Sequence, residues 1–225
     1  MSYDSFIREV NEELRQEKVR AFWGRYSFLI IVSAIIFVLA IAIYQIYHYE
    51  QMSKASKIGD TFITSLNLAD SLQFDEAMNQ LENVKISDFG GYPFLARLRE
   101  ASLLMQQGNA VKSVEIFDAV AADKKAPQIL QRVAKIRAAY ILVDIGTFDD
   151  VKKRVKDMAN DIDPMRMSAR EVLGLSAYKA NKINDAIYYF QKISEENILG
   201  LKITDRAKIM LELIQSERKV SKGVN

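Results

Sequence analysis

The residues best able to do chemistry are few and poorly spaced for it. The sequence holds one histidine, His48, and no cysteine. A thiolate nucleophile and a His/Cys zinc site therefore have nothing to form from. His48 sits among tyrosines at the end of a long apolar run, where an imidazole serves as an amphipathic anchor. The paired glycines of "FGGYPF" (residues 89–94) would suit a loop that cradles phosphate. They lack the G-x-G-x-x-G spacing and a preceding strand, and no P-loop occurs elsewhere. They read instead as a loop between helices, with Pro93 in the first turn of the next one. The acidic pairs Asp149–Asp150 and Glu195–Glu196 are of the type used for acid–base catalysis. They fall at helix ends or on polar faces and read as solvated. The expectation is a protein that is not an enzyme, with no cofactor, metal or small-molecule substrate.

What remains to be positioned is a surface. Formal net charge is only +2 over 225 residues, with signs interspersed, so no nucleic-acid footprint is present. Glycine (9) and proline (3) are scarce, and Ala, Leu, Ile, Lys and Glu abound. That composition predicts an all-α chain.

The first element is the stretch "FWGRYSFLIIVSAIIFVLAIAIYQIYHYE" (residues 22–50). No charge occurs from Tyr26 to Tyr47. Those 22 positions rise roughly 33 Å as a helix, against a bilayer core of about 30 Å. No polar stripe interrupts the run, as expected of a span and not of a core helix. The segment before it is too long and too acidic for a signal peptide, and the Ala40-Ile41-Ala42 triplet lies inside the run. An uncleaved anchor is expected. Phe22, Trp23 and Tyr26 mark one interface, and Tyr44, Tyr47 and Tyr49 the other. Arg15, Lys18, Arg20 and Arg25 precede the span, while Lys54 and Lys57 follow it, which favours a cytoplasmic N-terminus. The bulk of the chain is then expected in the periplasm of a two-membrane bacterium, anchored in the inner membrane lipid. The tail "DSFIREVNEELRQEKVRAF" reads as a short amphipathic helix through Phe6, Val10 and Leu14. It is either a continuation of the anchor or a docking helix.

After the span the chain is self-similar. Four stretches align without gaps: "LQFDEAMNQL" from Leu72, "GNAVKSVEIF" from Gly108, "GTFDDVKKRV" from Gly146 and "NKINDAIYYF" from Asn181. Seven residues before each lies a small residue: Ser65, Ala101, Ala139 and Gly174. Units recur every 36, 38 and 35 residues, which resembles the tetratricopeptide repeat. In such a unit the small residue of helix A lets helix B approach, and a Gly or Asn turn ends helix A. Ala207 falls in the same register 33 residues after Gly174 with no helix B behind it, as in a terminal capping helix. The expected organisation is a cytoplasmic tail (1–25), a transmembrane helix (26–47), a repeat domain of about four helix pairs plus a cap (48–219), and a frayed end (220–225). The absence of Pro and Gly between Tyr26 and Ile58 predicts one unbroken helix from the anchor into the first repeat.

Projecting the register gives the residues of helix A that line the concave face: Phe62, Leu66, Leu95, Leu98, Met105, Val133, Ile136, Tyr140, Val143, Glu171, Leu175 and Tyr178. The clearest candidates are Phe62, Leu66, Leu98, Met105, Ile136, Tyr140, Leu175 and Tyr178. Most are apolar, unlike the Lys, Arg and Asn of a peptide-carboxylate clamp. Two readings stay open: packed core covered by the C-terminal helix, or a hydrophobic groove for an unfolded segment or partner helix.

Three stretches carry a wider resemblance: "DSFIREVNEELRQEKV" with "FWGRY", "GGYPFLARLREASLL", and "SAREVLGLSAYKANKINDAIYYF". With these the chain resembles the ancillary SecYEG translocon subunit family of the YfgM type, most closely its alphaproteobacterial branch. The resemblance implies association with the SecYEG translocon and with a membrane-anchored periplasmic prolyl isomerase. It also implies contact with nascent secreted chains and a part in their hand-over to periplasmic chaperones. It assigns no individual contact residue. A structural scaffold, acting through span and tail, is the alternative.

Overall fold

The structure is a computed structural model that describes residues 3–87, 89–196 and 202–223, with side chains described at 20, 22–87, 89–196 and 202–219. Side chains of the tail helix and the last residues of the chain lie outside that set. Among the described residues every regular element is helical and no strand occurs. Helix α1 covers Tyr3–Asp70, with no break between residues 26 and 58. Then come α2 (Phe74–Lys85), α3 (Tyr92–Gln106), α4 (Ala110–Ala122) and α5 (Gln128–Ile145). They are followed by α6 (Phe148–Val155), a 3-10 turn at Lys156–Met158, α7 (Arg166–Lys179), α8 (Ile183–Glu195) and α9 (Lys202–Gly223). Two units are compact in themselves, Met1–Ser56 and Lys57–Asn225.

Among the described residues one stretch, within α1, is long and apolar enough to cross a membrane, and its most apolar part is not buried. Ile36, Phe37, Val38 and Leu39 are all exposed. Water around so many aliphatic side chains is unfavourable by roughly 25 cal/mol per Å², so this surface calls for a covering.

In the second unit each helix from α2 to α8 packs on the next, and α3 on α5, α5 on α7 and α7 on α9 also touch. This is the ladder that stacked helix pairs make. The repeat positions account for it. The small residues Ser65, Ala101, Ala139 and Ala207 are fully buried, and a Cβ on Gly174 would lie 2.9 Å from the Phe190 ring. On the facing helices Ala77, Ser113, Val151 and Ala186 are buried completely, as are Leu81, Phe117, Val155 and Phe190 to within 2%. Ser113 Oγ donates to the Ala101 carbonyl at 2.6 Å, tying one small position to its partner. The core divides into two clusters, a smaller one under the end of α1, α2 and α3 and a larger one from α3 to α9.

The turns explain the Gly and Asn positions. Leu72, Gly108 and Asn181 adopt φ of 62°, 81° and 58°. In each turn the next residue's N–H bonds five residues back: Gln73 to Leu68, Asn109 to Leu104 and Lys182 to Ala177. These are Schellman closures, which need one left-handed residue. Leu72 fills that place with an exposed side chain at a backbone cost of about 1–3 kcal/mol. Gly146 is different. Its backbone is extended, and a Cβ there would meet the Leu142 side chain at 2.8 Å, so this glycine serves close approach. Thr147 then caps α6, accepting from the Asp150 N–H while Asp150 accepts from the Thr147 N–H. Pro93 stands in the first turn of α3.

Candidate functional site

The residues projected onto the inner face divide by burial. Leu98 and Ile136 are buried in the larger core, and Phe62 packs on the smaller one with its ring edge-on to Tyr92 at 6.2 Å. Leu66, Leu95, Val133 and Val143 are half-buried, and Met105 is exposed. Tyr140, Leu175 and Tyr178 pack on the larger core and keep part of their surface open.

Tyr140 and Leu175 come together with Glu171 in one cleft of about 380 Å³, completed by Phe190, Arg206, Ile209 and Met210. Helices α5, α7, α8 and α9 supply these groups. Glu171 is the fixed point, with only 2% of its surface exposed. It accepts a hydrogen bond from the Tyr140 hydroxyl and a side-on pair from Arg206, Nε at 2.5 Å and Nη2 at 2.9 Å. A buried carboxylate is tolerated when it is paired and bonded in this way. Burial pushes the Tyr140 phenol up and the Glu171 carboxylate pushes it further, so the hydroxyl stays protonated and donating. The Glu171 hydrogen bond likewise raises Arg206. Tyr140, Glu171 and Arg206 thus form a polar rung across three successive inner helices. Farther along, the Tyr178 hydroxyl donates to Glu217 Oε1 at 2.8 Å.

An ion cluster holds α7 in place behind the cleft. Arg170, with 3% of its surface exposed, donates from Nε to the Ala159 carbonyl at 3.0 Å and from its two ends to Glu196 and Asp161. Arg166 Nη2 meets Glu196 at 2.6 Å, and Arg132 pairs with Asp163. Glu196 is therefore not a solvated acid, as its sequence position suggests. It is a shared acceptor for two arginines, while Glu195 stays exposed. The Arg166 hydrogen bond holds the Glu196 carboxyl below the ordinary carboxylate range, against the opposing pull of burial, and the charges of both arginines add to it. Burial pushes Asp163 up, but hydrogen bonds from Arg132 and the Met165 N–H, with the charges of Arg132 and Arg166, leave it low. Groups more acidic when folded than unfolded stabilise the protein above their unfolded values near pH 4, and that stabilisation is lost as pH falls through the native ones. Replacing Glu196 with Gln is expected to flatten the loss of stability below about pH 5, read as urea midpoints against pH. An acid limb as steep as the parent's contradicts this role.

Sequence reasoning missed Arg206, Ile209 and Met210. The signal was available in Ala207, whose register also fixes the flank of α9 that faces α7. The repeat register of complete pairs does not reach α9, which has no helix B to define a concave side.

The tetratricopeptide repeat-like domain family matches residues 20–196. No curated protein and no solved structure matches the chain. Stacked repeats of this kind present extended concave surfaces for protein interaction. With helix pairs stacked in register over more than half of its length, this chain belongs to the tetratricopeptide repeat-like domain family.

Proposed function

We propose that this is a non-enzymatic inner-membrane protein, anchored by residues 26–47 with its N-terminus in the cytoplasm. Its periplasmic repeat domain binds other proteins at the Sec translocon and assists their hand-over to periplasmic chaperones. One observation carries the reading: an exposed apolar stretch of bilayer length precedes a repeat domain whose inner face keeps an open cleft. Aromatic residues at both ends of the stretch and the excess of basic residues before it support the anchor and its orientation. The resemblance of the tail, second-repeat and fourth-repeat sequences to ancillary translocon subunits supports SecYEG, a membrane-anchored prolyl isomerase and nascent secreted chains as partners. The candidate contact residues are those on the inner face that remain accessible, Met105, Tyr140, Leu175 and Tyr178, together with the half-buried Leu66 and Phe62 of the first repeat.

A photo-activatable residue at Leu175 tests this in cells. Cross-links to a translocon subunit, the prolyl isomerase or a secreted chain are expected, and Tyr178→Asp is expected to reduce them several-fold. Equal yield from a probe at the exposed Tyr188 of α8 removes the inner face from the account. The burial of Leu98 and Ile136 favours a second reading, in which the inner face is packed core and the span organises a membrane complex. That reading predicts that replacing residues 26–47 with an unrelated span dissolves the complex on native gels.

A further inference from the structure

The seam between α7 and α9 borders the cleft of about 380 Å³. With Ala207 in register with Gly174 and Ala139, residues Arg206, Ile209 and Met210 stand where α7 has Leu173, Ser176 and Ala177. Helix α5 has Ala138, Ile141 and Leu142 at the same places. All six of those residues are buried. On α9, by contrast, Arg206 is 55% and Ile209 62% exposed. Among the described residues α9 packs on α7 and α8 alone, so this flank stays uncovered and forms one side of the cleft. Its walls are Tyr140, Leu175, Ile209 and Met210. Its buried acid, Glu171, is already matched by Tyr140 and Arg206. Arg206 has spent two of its donors there, so its guanidinium keeps donors for a second acceptor at the exposed rim. Helix α9 lies beyond the residues the family match covers.

We propose that the α7–α9 seam takes an apolar side chain of a partner protein, and that a neighbouring side-chain carboxylate of that partner pairs with Arg206. The inference rests on the reading of the inner face as a protein-binding surface and adds a rule of composition to it: acidic next to apolar. Charge complementarity sets the rule, because the charged group of the cleft that stands exposed with donors to spare is the Arg206 guanidinium, while Glu171 is buried.

The test uses the full chain in lipid nanodiscs and two short fluorescent peptides. Both carry a Leu-Phe pair, flanked by glutamates in one and by lysines in the other. The glutamate peptide is expected to bind about tenfold more tightly or better, the effect of one charge-assisted hydrogen bond. Arg206→Gln is expected to erase that preference. Because Arg206 also serves Glu171, Ile209→Asp provides an independent variant. Ile209 is exposed, so thermal unfolding is expected to stay unchanged while the glutamate peptide loses binding at least tenfold. Equal affinity for the two peptides overturns the proposal, as does glutamate-peptide binding that is indifferent to Ile209→Asp, or no binding of either peptide. Cross-linking from Leu175 to native partners in the face of any of those outcomes leaves the inner-face reading standing without the acidic-apolar rule.

Discussion

Truncating Phe190 to alanine is expected to cost about 3–5 kcal/mol, among the largest losses from any single side chain of the repeat domain. The ring is fully buried and packs against the bare backbone of Gly174. It also forms part of the cleft. A loss of that size is a large fraction of the roughly 5–15 kcal/mol that holds an ordinary domain together. Gly174→Ala approaches the same contact from the other side. Its new Cβ would stand 2.9 Å from the ring, and overpacking of this kind costs about 1–3 kcal/mol. The two substitutions share one contact, so their effects are expected to be non-additive, with Phe190→Leu partly restoring Gly174→Ala. Urea unfolding followed by far-ultraviolet circular dichroism measures all of these. A loss below about 1 kcal/mol for Phe190→Ala, the scale of an ordinary surface change, contradicts the packing described.

The second large effect concerns the span. Ile36→Asp combined with Leu39→Asp puts two like charges at the middle of residues 26–47. Each costs about 2.5–3.5 kcal/mol at the centre of a membrane helix, so together they oppose insertion by roughly 5–7 kcal/mol. Both parent side chains are exposed, so no packing within the chain is lost and the change acts on the bilayer contact alone. The variant is expected to leave the membrane pellet on alkaline carbonate extraction, while the parent stays in it. A variant retained in the pellet means that something other than this stretch holds the protein there.

Much of this arrangement was legible before any coordinates. Three features rest on local rules that periodicity and turn chemistry expose. The small residues Ser65, Ala101, Ala139 and Gly174 sit where helices approach, the turns fall at Leu72, Gly108, Gly146 and Asn181, and Pro93 opens α3. The missed features depend on long polar side chains reaching across helices. Glu171 takes partners from Tyr140 and Arg206, 31 and 35 residues away in the chain, and Glu196 takes Arg166 and Arg170 at separations of 30 and 26. A helical pattern reports which face is polar, and gives no sign of which guanidinium will arrive there. The buried state of Leu98 and Ile136 was hidden for a related reason. Their apolar character is the same for a groove and for a core, and only the fit of neighbouring helices separates the two. Gly146 shows the converse: its place in the repeat was right, while its service is clearance for Leu142 instead of a left-handed turn.

The central claim is a repeat domain held on the outer side of an inner membrane by residues 26–47. The sequence has no cysteine, so single introduced thiols report topology without background. In a two-membrane bacterium whose outer membrane has been made permeable, a membrane-impermeant maleimide is expected to label Ser216→Cys, on the exposed surface of α9, in otherwise intact cells. It is expected to label Ser5→Cys only after the inner membrane is broken. Labelling of Ser5→Cys in intact cells, with Ser216→Cys protected until lysis, places the repeat domain in the cytoplasm and contradicts the account.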